Sequence, residues 1–348
     1  MRSIARVRQL SLAGALWAAA ALLASCAEAP PPKVAEAPPV VGLPAKLVEA
    51  ATVYEAYMEK AAAVTPDFAD GAEVASKLQS AAAYEPVQLQ RGQGAYAAIV
   101  ALQDPAFVAG VRAYTTDSNT KALVINEILK DPAYVIGIKG SDSAAGLVVA
   151  ALDDKGMRVR LAGEKVRQAA YDVQKKAWSK ATVADREGRL AAVKASSVSP
   201  YTAPMEASTR FRLASTGEAP MTFGGAPLPP PYTATVVRGM AVAALAVLGQ
   251  GGESNADNLW AILAEPNQTM CILTSKLNVN QCLAVAKPYY EDVFCLGVHV
   301  LMDVGNCVIK GAGAPKAAPA LIASAAPATA VPVVPTATPA KKTTTKKQ

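Results

Sequence analysis

CILTSKLNVNQCLAVAKPYYEDVFCLGVHVLMDVGNC, Cys271–Cys307, holds four of the chain's five cysteines. Four cysteines allow three connectivities, and counting alone does not choose among them. The spacing of the apolar residues helps, because Phe294 to Met302 reads as one helix. Continued from Cys295 to Cys307, that helix would hold the two thiols about 18 Å apart at ~1.5 Å per residue. A disulfide needs Cα atoms within roughly 7 Å, so Cys295–Cys307 is excluded, and with it Cys271–Cys282. Of the remaining patterns, a helical hairpin selects Cys271–Cys307 with Cys282–Cys295, since both pairs centre near Pro288, the expected turn. Twelve residues rotate Cys307 about 120° from Cys295 around an ideal helix. A helix ending at Gly305 would remove that offset. The segment is therefore expected to be a disulfide-stapled helical hairpin.

The rest of the chain agrees with an all-α fold, a helical bundle or a short helical-repeat array. Of the 348 residues 52% are apolar but only 5% aromatic. Alanine makes up much of the apolar share, and it favours helix over strand. In residues 45–196, Leu47, Ala51, Tyr54, Met58 and Ala61 recur at helical spacing. Asp70 with Glu73 forms a capping-box-like start. Between Ser143 and Trp178, Val159, Val166 and Val173 repeat every seven residues with Gly163, Ala170 and Ala177 beside them. That stripe of small residues would admit a neighbouring helix closely, while Lys165, Arg167, Asp172, Lys175 and Lys176 face solvent. Leu102–Arg112 is echoed at Leu129–Lys139, with Asp104 and Asp131 as N-caps and Pro105 and Pro132 in first helical positions. The duplication suggests two helix–turn–helix units in tandem. Residues 197–232 are rich in breakers and read as a loop or interdomain segment. Residues 233–313 are helical again, and Val236–Gly249 is apolar nearly all round, a buried core helix.

The fifth cysteine sits near the start. Arg2, Arg6 and Arg8 precede an apolar run from Leu10 to Ala24, the layout of a secretory signal. The run falls short of the ~20 residues a membrane-spanning helix needs. Its end, Leu23-Ala24-Ser25-Cys26, resembles the lipobox of bacterial lipoprotein precursors. The resemblance implies removal of residues 1–25 and lipidation of Cys26. Ala27, where an aspartate would favour retention in the inner membrane of enterobacteria, implies the outer membrane. Residues 26–44 are rich in Pro and Ala and read as an extended tether. The nested cysteines also loosely resemble the twin-cysteine coiled-coil-helix-coiled-coil-helix domains. This chain, however, has ten and eleven residues between the cysteines of each helix, against a shorter fixed spacing in that family. No function is carried over from it.

Charge excludes a nucleic-acid-binding domain. Of the net +6, the three signal arginines supply three charges and Lys316, Lys341, Lys342, Lys346 and Lys347 five more, which leaves the body slightly acidic. Residues 314–348 form a low-complexity basic tail, expected to be disordered. Its lysines could touch anionic envelope polymers or serve solubility alone.

Catalytic patterns fail on inspection, and no cofactor is implied. Gly92-Gln93-Gly94 lacks a preceding strand and a following acid. Ser118-x-x-Lys121 lacks the companion motifs of penicillin-recognising enzymes. His299 is the one histidine, and its helical neighbours Asp292, Cys295 and Asp303 are thin metal ligation, with Cys295 expected in a disulfide. The expectation is an outer-membrane-anchored, non-enzymatic lipoprotein that binds or scaffolds a protein of the envelope or secretion machinery. The alternatives are an envelope hydrolase with an unrecognised site, or a lipoprotein displayed on the surface or released.

Overall fold

Leu47, Ala51, Tyr54, Met58 and Ala61 form the buried face of α1 (Ala45–Ala62), as their spacing requires. The computed structural model describes residues 42–198, 200–202 and 205–314, all within one compact unit. Among them there is no β-strand, only an isolated bridge between Thr182 and Pro288. The signal segment, Cys26, the tether up to residue 41, and the tail lysines lie outside the described residues. Residues 42–44, read as the end of the tether, are part of the body: Leu43 is buried and Pro44 caps α1.

α2 (Gly71–Ala82) starts as its sequence suggests. Asp70 Oδ1 accepts from the Glu73 N–H at 2.9 Å, and Glu73 Oε2 accepts from the Ala69 N–H at 2.7 Å. α3 (Pro86–Ala101) crosses α1 at Gly92, where a Cβ would lie 2.5 Å from the Ala50 carbonyl oxygen. Gly92 thus sits at a helix crossing and Gly94 against the Leu263 side chain, both inside a continuous helix, and the backbone there forms no phosphate-binding loop.

The duplicated motif diverges. Asp104 caps α4 (Pro105–Arg112) through the Phe107 N–H at 2.7 Å. Asp117 caps α5 (Ser118–Lys130) in the same way. Asp131 also caps, but it opens only a 3₁₀ turn, Pro132–Gly137. Gly140, at φ 85°, then turns the chain into the next helix, and the Lys139 carbonyl is packed against Gly110. Packing against the first copy thus stops the second one early, so the pair is not a helical repeat.

α6 (Ser141–Asp172) is the longest helix and runs through the centre. It ends six residues before Trp178: Val173 is still buried in a short 3₁₀ turn, but Ala177 opens a separate turn, α7 (Ala177–Lys180), and is exposed. α8 (Arg186–Val198) and α9 (Met205–Thr216) come next, so the 197–232 stretch is not a loop throughout. α9 buries only Phe211, Ala214 and Ser215, too few to show a period, and Phe211 meets the Tyr96 ring at 5.9 Å. Residues 217–232 cross the body without regular structure. They are held by the Met221 N–H on Gln103 Oε1 (2.9 Å) and the Leu228 N–H on the Asp142 carbonyl (3.0 Å). They join one core rather than two domains, because α10 (Ala234–Leu245), buried on every side, packs against α3.

After α11 (Ala256–Ile262) comes the hairpin: α12 (Pro266–Val285) returns as α13 (Tyr289–Cys295) and α14 (Asp303–Ala312), joined without a break by the π-helical stretch Leu296–Met302. The span Tyr289–Ala312 is long and apolar enough to cross a membrane, but 61% of its apolar window is buried in the body. Cys271 pairs with Cys307 and Cys282 with Cys295, each at a Cα separation of 5.8 Å. The helix does not end at Gly305 but continues to Ala312, where Gly313 at φ 67° closes it. The extra residue taken up by the π turn rotates α14 by about 100°, the angle of one helical residue. That nearly cancels the 120° offset and brings Cys295 and Cys307 to the same side.

The heptad stripe of α6 receives this rod by backbone-to-backbone approach. A Cβ at Gly163 would lie 2.7 Å from the Gly297 carbonyl oxygen, and one at Gly305 would lie 2.6 Å from the Arg160 nitrogen. Gly163→Ala is therefore expected to destabilise the body by about 1–3 kcal/mol through overpacking, read as a lowered urea midpoint at unchanged slope. A midpoint equal to that of the parent chain would show that the helices separate freely here.

Candidate functional site: the outward face of the stapled hairpin

α12 begins with Glu265 as its cap, accepting from the Asn267 N–H at 3.2 Å and from the Gln268 N–H, and with Pro266 in the first turn. Its inward face buries Ile272, Val279 and Leu283. Buried amides tie its first turns to the core. Gln268 Nε2 donates to the Cys307 carbonyl at 2.7 Å and to Gln93 Oε1 at 2.9 Å, and Gln90 Nε2 donates to the Leu263 carbonyl at 2.9 Å.

Further along, Lys276 is only 4% exposed. Its Nζ lies 3.5 Å from the Tyr84 ring centroid and donates to Ser197 Oγ at 2.8 Å and to the Ala82 carbonyl. Burial pulls its pKa down to about 7, against the Glu85 charge. With no carboxylate among the described residues at hydrogen-bond distance, the Lys276 side chain clamps α12 to the ends of α2 and α8. At the far end, Arg186 donates to the Ala284 and Ala286 carbonyls at 2.9 and 2.8 Å, where a cation is favoured by the helix dipole. Arg189 donates to Asp292 Oδ1 at 2.5 Å and to the Leu283 carbonyl. Burial raises the Asp292 pKa to about 6 although Arg189 opposes it.

The suspected acid–histidine face does not converge. Asp292 is engaged by Arg189, Cys295 is oxidised, and His299 Nδ1 contacts Asp303 Oδ2 at 3.1 Å. The π stretch separates Asp292 from His299 by one residue's rotation, which breaks the face that α-helical spacing suggested. Among the described residues no group of three or more His, Cys, Asp or Glu side chains could hold a metal ion.

What the hairpin offers outward is apolar. Met270, Leu273, Thr274, Leu277, Gln281 and Val285 share one side of α12 and are exposed, Met270 at 58% and Val285 at 74%. The single charged side chain of α12, Lys276, is turned inward. Two disulfides, the Lys276 clamp and the arginine caps hold a thirty-ångström uncharged face rigid, at ~1.5 Å per residue over twenty residues. Sequence reasoning centred on the cysteines missed this face. The signal was present as Met270, Leu273 and Leu277 at helical spacing in a segment with one charge. Beside its C-terminal end, Tyr171, Gln174, Val285, Tyr290, Glu291 and Phe294 line an open groove of about 440 Å³. Ser118 and Lys121 lie on the first turn of α5.

No family model, curated protein or solved structure matches the chain.

Proposed function

We propose that this chain is an exported bacterial lipoprotein, anchored in the outer membrane through Cys26, whose helical body is a non-enzymatic binding or scaffold component of envelope assembly, secretion or surface attachment. The lipobox-like Leu23–Cys26 supports the anchor, and two disulfides suit an oxidising compartment. The observation that carries the binding role is the uncharged outward face of α12. A partner placing charges there would leave them desolvated and unpaired, which is costly. The complementary surface is therefore an uncharged apolar helix face on another envelope protein, a helix-on-helix contact.

Two variants test the two halves separately. Cys26→Ala should abolish incorporation of a clickable fatty acid, and unchanged labelling would refute the anchor. Leu277→Glu, at a half-exposed position, should leave the melting temperature within about 2 °C, as exposed substitutions do. In intact cells it should reduce the yield of the crosslinked partner at least tenfold. An undiminished crosslink would remove α12 from the reading.

A further inference from the structure

The groove between the end of α6 and the hairpin turn is lined by three aromatic rings, none of which belongs to α12. Tyr290 and Phe294 stand one turn apart on α13, Tyr171 faces them from α6, and Tyr171 is 54% exposed. The polar groups of its lining include the Tyr171 and Tyr290 hydroxyls and the Gln174 amide. Glu291, whose Oε2 accepts from the Lys287 N–H at 2.8 Å, adds a carboxylate to the lining. Such a groove suits a ligand with flat apolar rings, many unpaired carbonyls, few N–H groups and a cation. A proline-rich extended peptide has these properties: its helix makes no internal hydrogen bonds and docks on aromatic surfaces.

Outside the described residues the chain carries two such segments. The one before α1 contains Pro30–Pro32 and Lys33, but also Glu28 and Glu36, which Glu291 would repel. The other, AVPVVPTATPAKK at residues 330–342, has no acid and ends in Lys341 and Lys342. Pro332 and Pro335 are one turn apart in a helix of three residues per turn, so both would face the rings. Reach permits it. From Tyr290 to Ala312 the rod covers about 33 Å at ~1.5 Å per residue. The eighteen residues from Ala314 to Pro332 extend to as much as ~59 Å.

We infer that residues 330–342 of the chain's own tail dock in the Tyr171–Tyr290–Phe294 groove, prolines on the rings and Lys341 beside Glu291. A connection of this length holds the segment at roughly millimolar effective concentration. A competing proline-rich segment must displace it.

The test uses the purified full chain with the photocrosslinker benzoylphenylalanine at Val334. Irradiation should place crosslinks, by mass spectrometry, in the peptides that carry Tyr171 and Tyr290–Phe294, within monomers and independently of concentration. Pro332→Ser with Pro335→Ser should reduce them at least tenfold, and so should Tyr171→Ala, whose ring is too exposed for folding to depend on it. Free peptide 330–342 in excess should compete, whereas a peptide of residues 27–40 should not. Crosslinks scattered over the surface, crosslinks only in covalent dimers, or stronger competition by the 27–40 peptide would each overturn the assignment.

Discussion

Replacing Arg189 with alanine is expected to lower the stability of the chain by about 3–5 kcal/mol, because it leaves a buried carboxylate without its counter-ion. The side chains of Arg189 and Asp292 are 5% and 1% exposed, and Arg189 also donates to the Leu283 carbonyl near the end of α12. The substitution therefore frees the hairpin from α8 as well as stranding the charge. The pH dependence identifies the mechanism. Burial already holds the Asp292 pKa at about 6 in the presence of Arg189, against ~3.9 for an unfolded aspartate. The native state thus binds the proton more tightly than the unfolded chain. This group's contribution is greatest below about pH 4, falls as pH rises to about 6, and is constant above that. Without Arg189 the pKa goes higher, so stability should keep falling as pH rises past 6. Asp292→Asn should flatten the slope, and Arg189→Met with Asp292→Leu should recover most of the loss, since an apolar pair needs no counter-ion. Urea titrations between pH 4 and 8 measure all three. A loss under 1 kcal/mol in Arg189→Ala with no change in slope would show that water reaches the carboxylate.

That pair illustrates what the sequence can and cannot show. Periodicity marks faces, so the buried stripe of α1, the Val159–Val166 stripe of α6 and the all-round burial of α10 were legible from apolar spacing alone. Capping is local, so Asp70, Asp104 and Asp131 were legible too. The cysteine pairing followed from rise per residue, which the π stretch hardly changes, together with a hairpin centred near Pro288. Rotation per residue was the quantity that failed. A π turn is a change of hydrogen-bond register without a compositional mark, and it moved Cys307 into reach while it took Asp292 away from His299. Burial of a single polar residue is equally silent. Nothing in the sequence sets Lys276 and Arg189 apart from surface charges, and α2, α8 and the hairpin close around them only in the fold. The 3₁₀ turn at Pro132–Gly137 was hidden for the same reason, because its early end is set by packing on Gly110, far from its own residues. The candidate face on α12 was legible but overlooked, since exposed leucines look the same as buried ones in a string.

The two staples should contribute unequally and not independently. Cys271 and Cys307 are 36 residues apart and Cys282 and Cys295 are 13 apart, the second pair nested inside the first. Loop-closure entropy gives about 4 kcal/mol for the outer bridge alone and about 3 for the inner one alone. With the inner bridge intact, the outer one closes only the remainder of its loop and contributes about 3.5 kcal/mol. Removing both should then cost about 6.5 kcal/mol rather than about 7, comparable with the whole stability of many domains. Alanine suits the comparison, because Cys295 and Cys307 are buried and a serine hydroxyl there would go unpaired. The expected order of urea midpoints is parent chain, Cys282→Ala/Cys295→Ala, Cys271→Ala/Cys307→Ala, then the fourfold variant. Beyond entropy, the outer pair anchors the end of the rod whose Cys307 carbonyl accepts from Gln268. Its loss should therefore raise amide exchange in the first turns of α12, while loss of the inner pair should raise it at the Pro288 turn. Equal midpoints for the two pairs, with exchange unchanged at both ends, would mean that Lys276 and the two arginines hold the hairpin without either bridge.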